Sequence, residues 1–234
     1  MSNSVRSLEP AIDPNHRISF LLDWEITLKC NLDCSYCLSG PEGFHFNQSP
    51  HPPLDECVRT IDFMFEYVDM YMAVRAKSLR YVILNVYGGE ALHHPNIVEI
   101  LQQVREKYEP YRHRWNLTVA TTTNAVISDK KLSKIIPLID EFTMSYHTEA
   151  SEKQKQQFKN NALTIKQSGK RIKCAVLMHS KPELFAEATD MIQWLKDHDI
   201  RHIARALDHL PENKEFYYQP KEIQWLKTVY SEKS

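Results

Sequence analysis

Residues 18–37 read ISFLLDWEITLKCNLDCSYC. The first half, Ile18–Thr27, is a β-branched and aromatic run of strand type, and directly behind it Cys30, Cys34 and Cys37 follow one another as C-x3-C-x2-C. A strand that empties into a loop of thiols sets two expectations at once. The chain builds on strand–helix units, and its chemistry sits where strands end.

The rest of the sequence repeats that order. After the start signal Pro52-Pro53-Leu54-Asp55, the residues Val58, Ile61, Phe65 and Val68 fall at helical spacing. A second strand over 81–87 is followed by Pro95 at a helix start and by Ile97, Ile100, Leu101 and Val104 on one face. A third strand spans 115–122, and Ser128 caps a short helix carrying Leu132, Ile135 and Ile136. A short fourth strand at 142–146 precedes a polar helix with Phe158, Ala162 and Ile165, closed by Gly169. The fifth strand, 172–178, leads to a helix opened by Pro182, and the sixth spans 200–207. A last helix begins near Pro220. Alternation of this kind gives a parallel sheet with helices outside it. Six such units fall two short of a closed eightfold barrel, so the expected fold is α/β, an open partial (β/α)6 TIM-like barrel in a single domain with its site at the strand C-termini. Residues 17–210 form the barrel in this reading, between a flexible segment 1–16 and a helical tail 211–234.

Composition narrows the function classes. The 234 residues are 42% hydrophobic and 25% charged, enough to bury a core, and the formal net charge of -1 nominates neither nucleic acid nor an anionic membrane. No apolar run approaches the roughly 20 residues that span a bilayer, and residues 1–14 lack the apolar stretch of a secretion signal. A cytoplasmic protein is expected.

Five cysteines, three of them crowded into one loop, make a poor disulfide framework and fit metal ligation or thiol chemistry better. Three thiolates leave one iron of a four-iron, four-sulfur cluster open to a substrate or cofactor. A zinc site completed by His45 or His51, or a redox pair of Cys34 and Cys37, are the alternatives, although neither a second C-x2-C nor a thioredoxin-like pattern is present. The other two cysteines, Cys57 and Cys174, read as small buried hydrophobes. Glycine is scarce, with five in the chain, yet Gly88 and Gly89 stand together before Glu90 at the end of the second strand. Paired glycines let backbone approach a ligand closely, and a neighbouring carboxylate can pair with an ammonium group. By itself this is a turn.

Taken together the two motifs resemble the radical S-adenosylmethionine superfamily, whose signature is this cysteine spacing with an aromatic residue before the third cysteine, here Tyr36. The resemblance spans about 20–207. It implies one four-iron, four-sulfur cluster on Cys30, Cys34 and Cys37, whose open iron chelates S-adenosylmethionine, and a Gly88-Gly89-Glu90 turn at the methionine amino group. It extends to Asn124, where Thr123-Asn124 resembles the family's Thr-Asn-Gly with Ala125 in place of glycine, and to Ser145 near the ribose or carboxylate. Met178 falls in the adenine and substrate region. His147 and Arg205 are candidate catalytic groups at strand ends, the first for proton transfer or substrate, the second for a carboxylate or phosphate.

Implied partners are a small-molecule or peptide substrate and an external electron donor such as a flavodoxin or ferredoxin, with no nucleic acid and no membrane. The nearest branch often adds a C-terminal cysteine-rich domain, and no cysteine follows Leu207. A minimal enzyme or a shortened form accounts for that. Within the class, a glycyl-radical activating enzyme is the alternative, and outside it a non-catalytic iron-sulfur or zinc module.

Overall fold

The computed structural model describes residues 18–37, 50–75, 80–207 and 217–231. The expected flexible segment 1–16, His45 and the stretch 208–216 lie outside the described residues. Six strands, β1 (Ile18–Thr27), β2 (Arg80–Gly88), β3 (Asn116–Thr123), β4 (Glu141–Tyr146), β5 (Arg171–Met178) and β6 (Arg201–Ala206), form one sheet. They lie in sequence order, and every neighbouring pair is parallel. Helices α1 (Leu54–Arg75), α2 (Ile97–Tyr108), α3 (Asp129–Ile135), α4 (Glu152–Gln167) and α5 (Pro182–Asp197) connect them, and α6 (Pro220–Ser231) follows β6. Among the described residues β1 and β6 are the sheet edges and do not pair with each other, so the barrel is open, as the unit count requires.

Local chemistry sets the helix ends. The Ser128 hydroxyl accepts from the Lys131 amide at the start of α3, and Ser151 with Gln154 forms a capping box at the start of α4. Gly169, at φ 75, closes α4 in the left-handed conformation that costs glycine little. Two boundaries differ from the sequence reading. Pro95 precedes α2 rather than opening it, because Glu90 caps a short 3-10 turn at Ala91–His93 first. Ile136 leaves α3 for a second 3-10 turn, where Pro137 cannot donate the amide that another α-helical turn needs.

Strand alternation divides the sheet into two chemistries. On the convex face Val82, Leu84 and Val86 of β2, with Phe142, Met144 and Tyr146 of β4, are buried against Ile61, Phe65 and Val68 of α1 and the inner faces of the other helices. Trp115, expected to open the third strand, sits just before it and packs against Phe65, Tyr108 and Tyr111 at 5.1–5.5 Å between ring centroids. Cys57 and Cys174 belong to this core as well.

Register places Glu25 beside Tyr87, Thr122 beside Thr143, Thr143 beside Lys173, and Lys173 beside Arg201 on the opposite, concave face. A closed barrel fills that space with apolar layers. Here the face is mixed, with Leu21, Ile83, Ala175, Leu177 and Ile203 standing among those polar residues. Among the described residues no helix is long and apolar enough to cross a membrane.

Candidate active site

The site forms where β1 leaves the sheet. A register shift between Glu25 and Thr27 bends the strand end, and the Gly88-Gly89 turn at the end of β2 presses against it. The Gly89 amide donates to the Thr27 carbonyl at 2.8 Å and the Glu90 amide to the Lys29 carbonyl at 2.7 Å. A Cβ on Gly88 would stand 2.1 Å from the Thr27 oxygen, and one on Gly89 2.5 Å from the Lys29 oxygen. Both glycines are thus demanded by backbone packing at the root of the cysteine loop, before any ligand is considered.

Glu90 is fully enclosed, and both of its oxygens are used inside the protein. They accept from the Leu92 amide, the Thr123 hydroxyl and the Asn124 amide at 2.9, 2.7 and 2.6 Å. Burial raises the carboxyl pKa, while these donors and Lys131 pull it down. Glu90 therefore ties the turn after β2 to the end of β3. It is not among the residues lining the cavity described below.

Asn124 joins the same brace to the cysteine loop. Its side-chain amide donates to Asn31 Oδ1 at 2.8 Å and lies 3.7 Å from Cys30 Sγ, while Asn31 donates to the Val126 carbonyl at 2.8 Å. Ala125, at φ 54, takes the left-handed conformation that favours glycine. It is held there by its backbone N–H, which donates to the Thr123 hydroxyl oxygen, and by Asn161, which donates to its carbonyl.

The cysteine loop is braced from the other side by β4 and the turn after it. Tyr36 stacks on His147 and shares a 2.9 Å hydrogen bond between its hydroxyl and Nδ1, and the same nitrogen lies 3.4 Å from Cys34 Sγ. Burial pushes the His147 pKa down to about 4 and the Tyr36 pKa up, so both are neutral near pH 7. Glu149, which the sequence reading passed over, receives the Ser35 amide and hydroxyl on its two oxygens at 2.7 and 2.6 Å, and His179 Nε2 stands 3.4 Å from it. A carboxylate three residues beyond a strand end sits on the rim of any βα fold. That was the available signal.

Between these braces lies a cavity of about 280 Å3, lined by all three loop cysteines, Tyr36, Gly88, Gly89, Asn124, Ser145 and His147. Leu32, Asp33, Tyr87, Thr122, Thr123 and Leu177 complete its wall without having been named as site residues from the sequence. The Met178 side chain is buried on the convex face, and alternation turns Leu177 toward the cavity. Arg205, the register partner of Leu177, is on the concave face but outside the cavity lining.

The donor set suits an iron-sulfur cluster. Each thiolate of such a cluster holds a different iron, so the sulfurs stand around a volume rather than a point. Among the described residues, no three His, Cys, Asp or Glu side chains converge as a single ion would need. The Leu32 amide donates to Cys30 Sγ at 3.4 Å, the kind of contact that stabilises a ligating sulfur. Burial raises the thiol pKa of Cys30, and that of Cys34 to about 12, a desolvation cost that bonding to cationic iron would offset. No disulfide forms among the five cysteines, and Cys57 and Cys174 lie in the core.

Known proteins carry the same architecture. A structure of anSMEcpe with AdoMet and the Cp18Cys peptide superposes with a TM-score of 0.64 at 14% identity, covering 91% of this chain and 58% of that one. Streptococcus suis SuiB bound to S-adenosylmethionine superposes at 0.58 and 12% identity, over 92% of this chain and 48% of that one. The fold is that of the radical S-adenosylmethionine enzymes. In sequence, the GTP 3',8-cyclase of Lactiplantibacillus plantarum, of the same superfamily, is 26% identical over 95% of this chain and 64% of its own length. This chain thus spans about two thirds of that curated relative or less. No family model matches the sequence.

Proposed function

We propose that this chain is a radical S-adenosylmethionine enzyme. Cys30, Cys34 and Cys37 hold one four-iron, four-sulfur cluster, S-adenosylmethionine occupies the adjoining cavity, and a small molecule or peptide gives up a hydrogen atom in the groove. The observation that carries the reading is the convergence of three cysteines, the Gly88-Gly89 turn, Asn124 and Ser145 on one cavity at the strand C-termini. When bound, the cluster supplies the electron that splits S-adenosylmethionine into methionine and a 5'-deoxyadenosyl radical.

The protein's own part is binding and shielding. Gly88 and Gly89 offer backbone to the methionine end, Ser145 offers a hydroxyl to the ribose or carboxylate, and Asn124 and the Leu32 amide orient Cys30. Glu90 contributes by fixing the turn, and Glu149 and His147 by fixing the loop. Cys37 is exposed, so an external donor of the flavodoxin or ferredoxin type has access to the cluster edge. Five cysteines without a disulfide suit a reducing, cytoplasmic setting.

The test is anaerobic purification and reconstitution, assay of iron and sulfide, then reduction with S-adenosylmethionine and chromatography of the products. About four irons per chain and released 5'-deoxyadenosine support the reading. Stoichiometric zinc, or a cluster that releases no nucleoside, contradicts it.

A further inference from the structure

The two edges of the groove carry opposite charge. Along β1, Asp23 and Glu25 stand in register with Asn85 and Tyr87, and Asp23 is already bonded to the Asn85 amide at 2.8 Å. Along the far edge, Lys173 and Arg201 are register partners and Arg205 pairs with Leu177, which lines the cavity. All three cations therefore share the concave face, with Lys173 and Arg201 about 5 Å apart across the strands and Arg205 about 13 Å further toward the rim.

Elsewhere, among the described residues, arginines are paired. Arg59, Arg105, Arg112, Arg114 and Arg171 each hold a carboxylate. Among the described residues, no carboxylate is paired with Arg201, Arg205 or Lys173, although Arg171, on the same face of β5, has taken Glu141. Two unmatched guanidinium forks and an ammonium lining one wall of a groove form a receptor for an anion. The carboxylates on β1 repel the same anion and fix its direction.

We propose that the β5–β6 wall is an anion subsite, in which Lys173, Arg201 and Arg205 take the phosphate or carboxylate group of the substrate. It rests on the reading of the cavity above as the place of hydrogen abstraction. The substrate is then elongated. Its reacting carbon lies at the cavity by Leu177, and its acidic group reaches along β6 toward the Lys173–Arg201 pair.

The test is calorimetric titration of the reconstituted, anaerobic full chain with pyrophosphate and, separately, with glutarate, at one fixed ionic strength because salt screens exposed charge. The Arg201→Glu/Arg205→Glu pair should weaken binding at least about tenfold. Arg112→Glu makes the same kind of charge change at a remote exposed site and should leave affinity as it is. The milder Arg201→Gln/Arg205→Gln pair, with parental iron content and melting temperature, must shift in the same direction, which separates binding from folding.

Preference for pyrophosphate assigns the wall to phosphate, and preference for glutarate assigns it to carboxylate. If the parent binds neither probe, or if Arg112→Glu weakens binding as much as the β6 pair, the subsite is refuted. Iron content and nucleoside release of the parent are scored separately. A parent with the wall's binding pattern but no cluster would overturn the enzymatic reading and leave the subsite standing.

Discussion

On β4, Phe142, Met144 and Tyr146 are buried against the helices, while Thr143, Ser145 and then His147 look into the groove. The two faces of one strand obey different constraints. The convex side is an ordinary core, where burial of apolar area supplies stability and each residue is judged by its fit. The concave side of a closed barrel would be the same, but here threonine, serine, glutamate, lysine and arginine stand between its apolar residues Leu21, Ile83 and Ile203. Stability and chemistry are thereby separated by a single-residue step along a strand, and substitutions on the two faces should fail in different ways.

The largest contrast concerns the cluster loop. Cys37→Ala, at an exposed position, should abolish iron binding and nucleoside release altogether while moving the unfolding free energy of the cluster-free protein by no more than about 0.5 kcal/mol. Iron assay with chemical denaturation checks both halves. Phe142→Ala on the convex face should do the reverse, costing about 3–5 kcal/mol through the cavity it leaves, with activity per folded molecule retained. A Cys37→Ala protein that unfolds, or a Phe142→Ala protein of unchanged stability, breaks the comparison.

Smaller effects sharpen it. Glu149→Ala removes the acceptor of two hydrogen bonds from Ser35, so the loop should release iron to a chelator about tenfold faster, the scale of one charge-assisted bond. Global melting should barely change. Ala125→Gly is the mildest. Relief of a left-handed alanine, worth about 1 kcal/mol, opposes the loss of a buried methyl worth about 0.8, so the melting temperature should stay within a degree or two. A buried alanine in an ordinary conformation would lose stability on the same change.

These cases also show what the sequence could reveal. The convex face was legible because burial writes itself as periodicity. The apolar spacing of Ile61, Phe65 and Val68, with Ser128 and Gly169 at helix ends, located the units to within a residue or two. The cysteine loop and the glycine pair were legible because their residue types are rare and their spacing short. The contacts of Glu90 with Thr123 and Asn124, and of Glu149 with Ser35, join residues far apart in sequence, and no local pattern encodes them. In Leu177-Met178 both residues are apolar, and only the register with Arg205 decides which one faces the groove.

The central claim is that three cysteines leave an iron open beside the cavity. Electron paramagnetic resonance of the reduced, reconstituted protein, recorded before and after addition of S-adenosylmethionine, tests it most directly. The account predicts a cluster signal that changes on addition of S-adenosylmethionine and is missing in Cys37→Ala. A signal indifferent to S-adenosylmethionine, or one that survives loss of Cys37 intact, would contradict it.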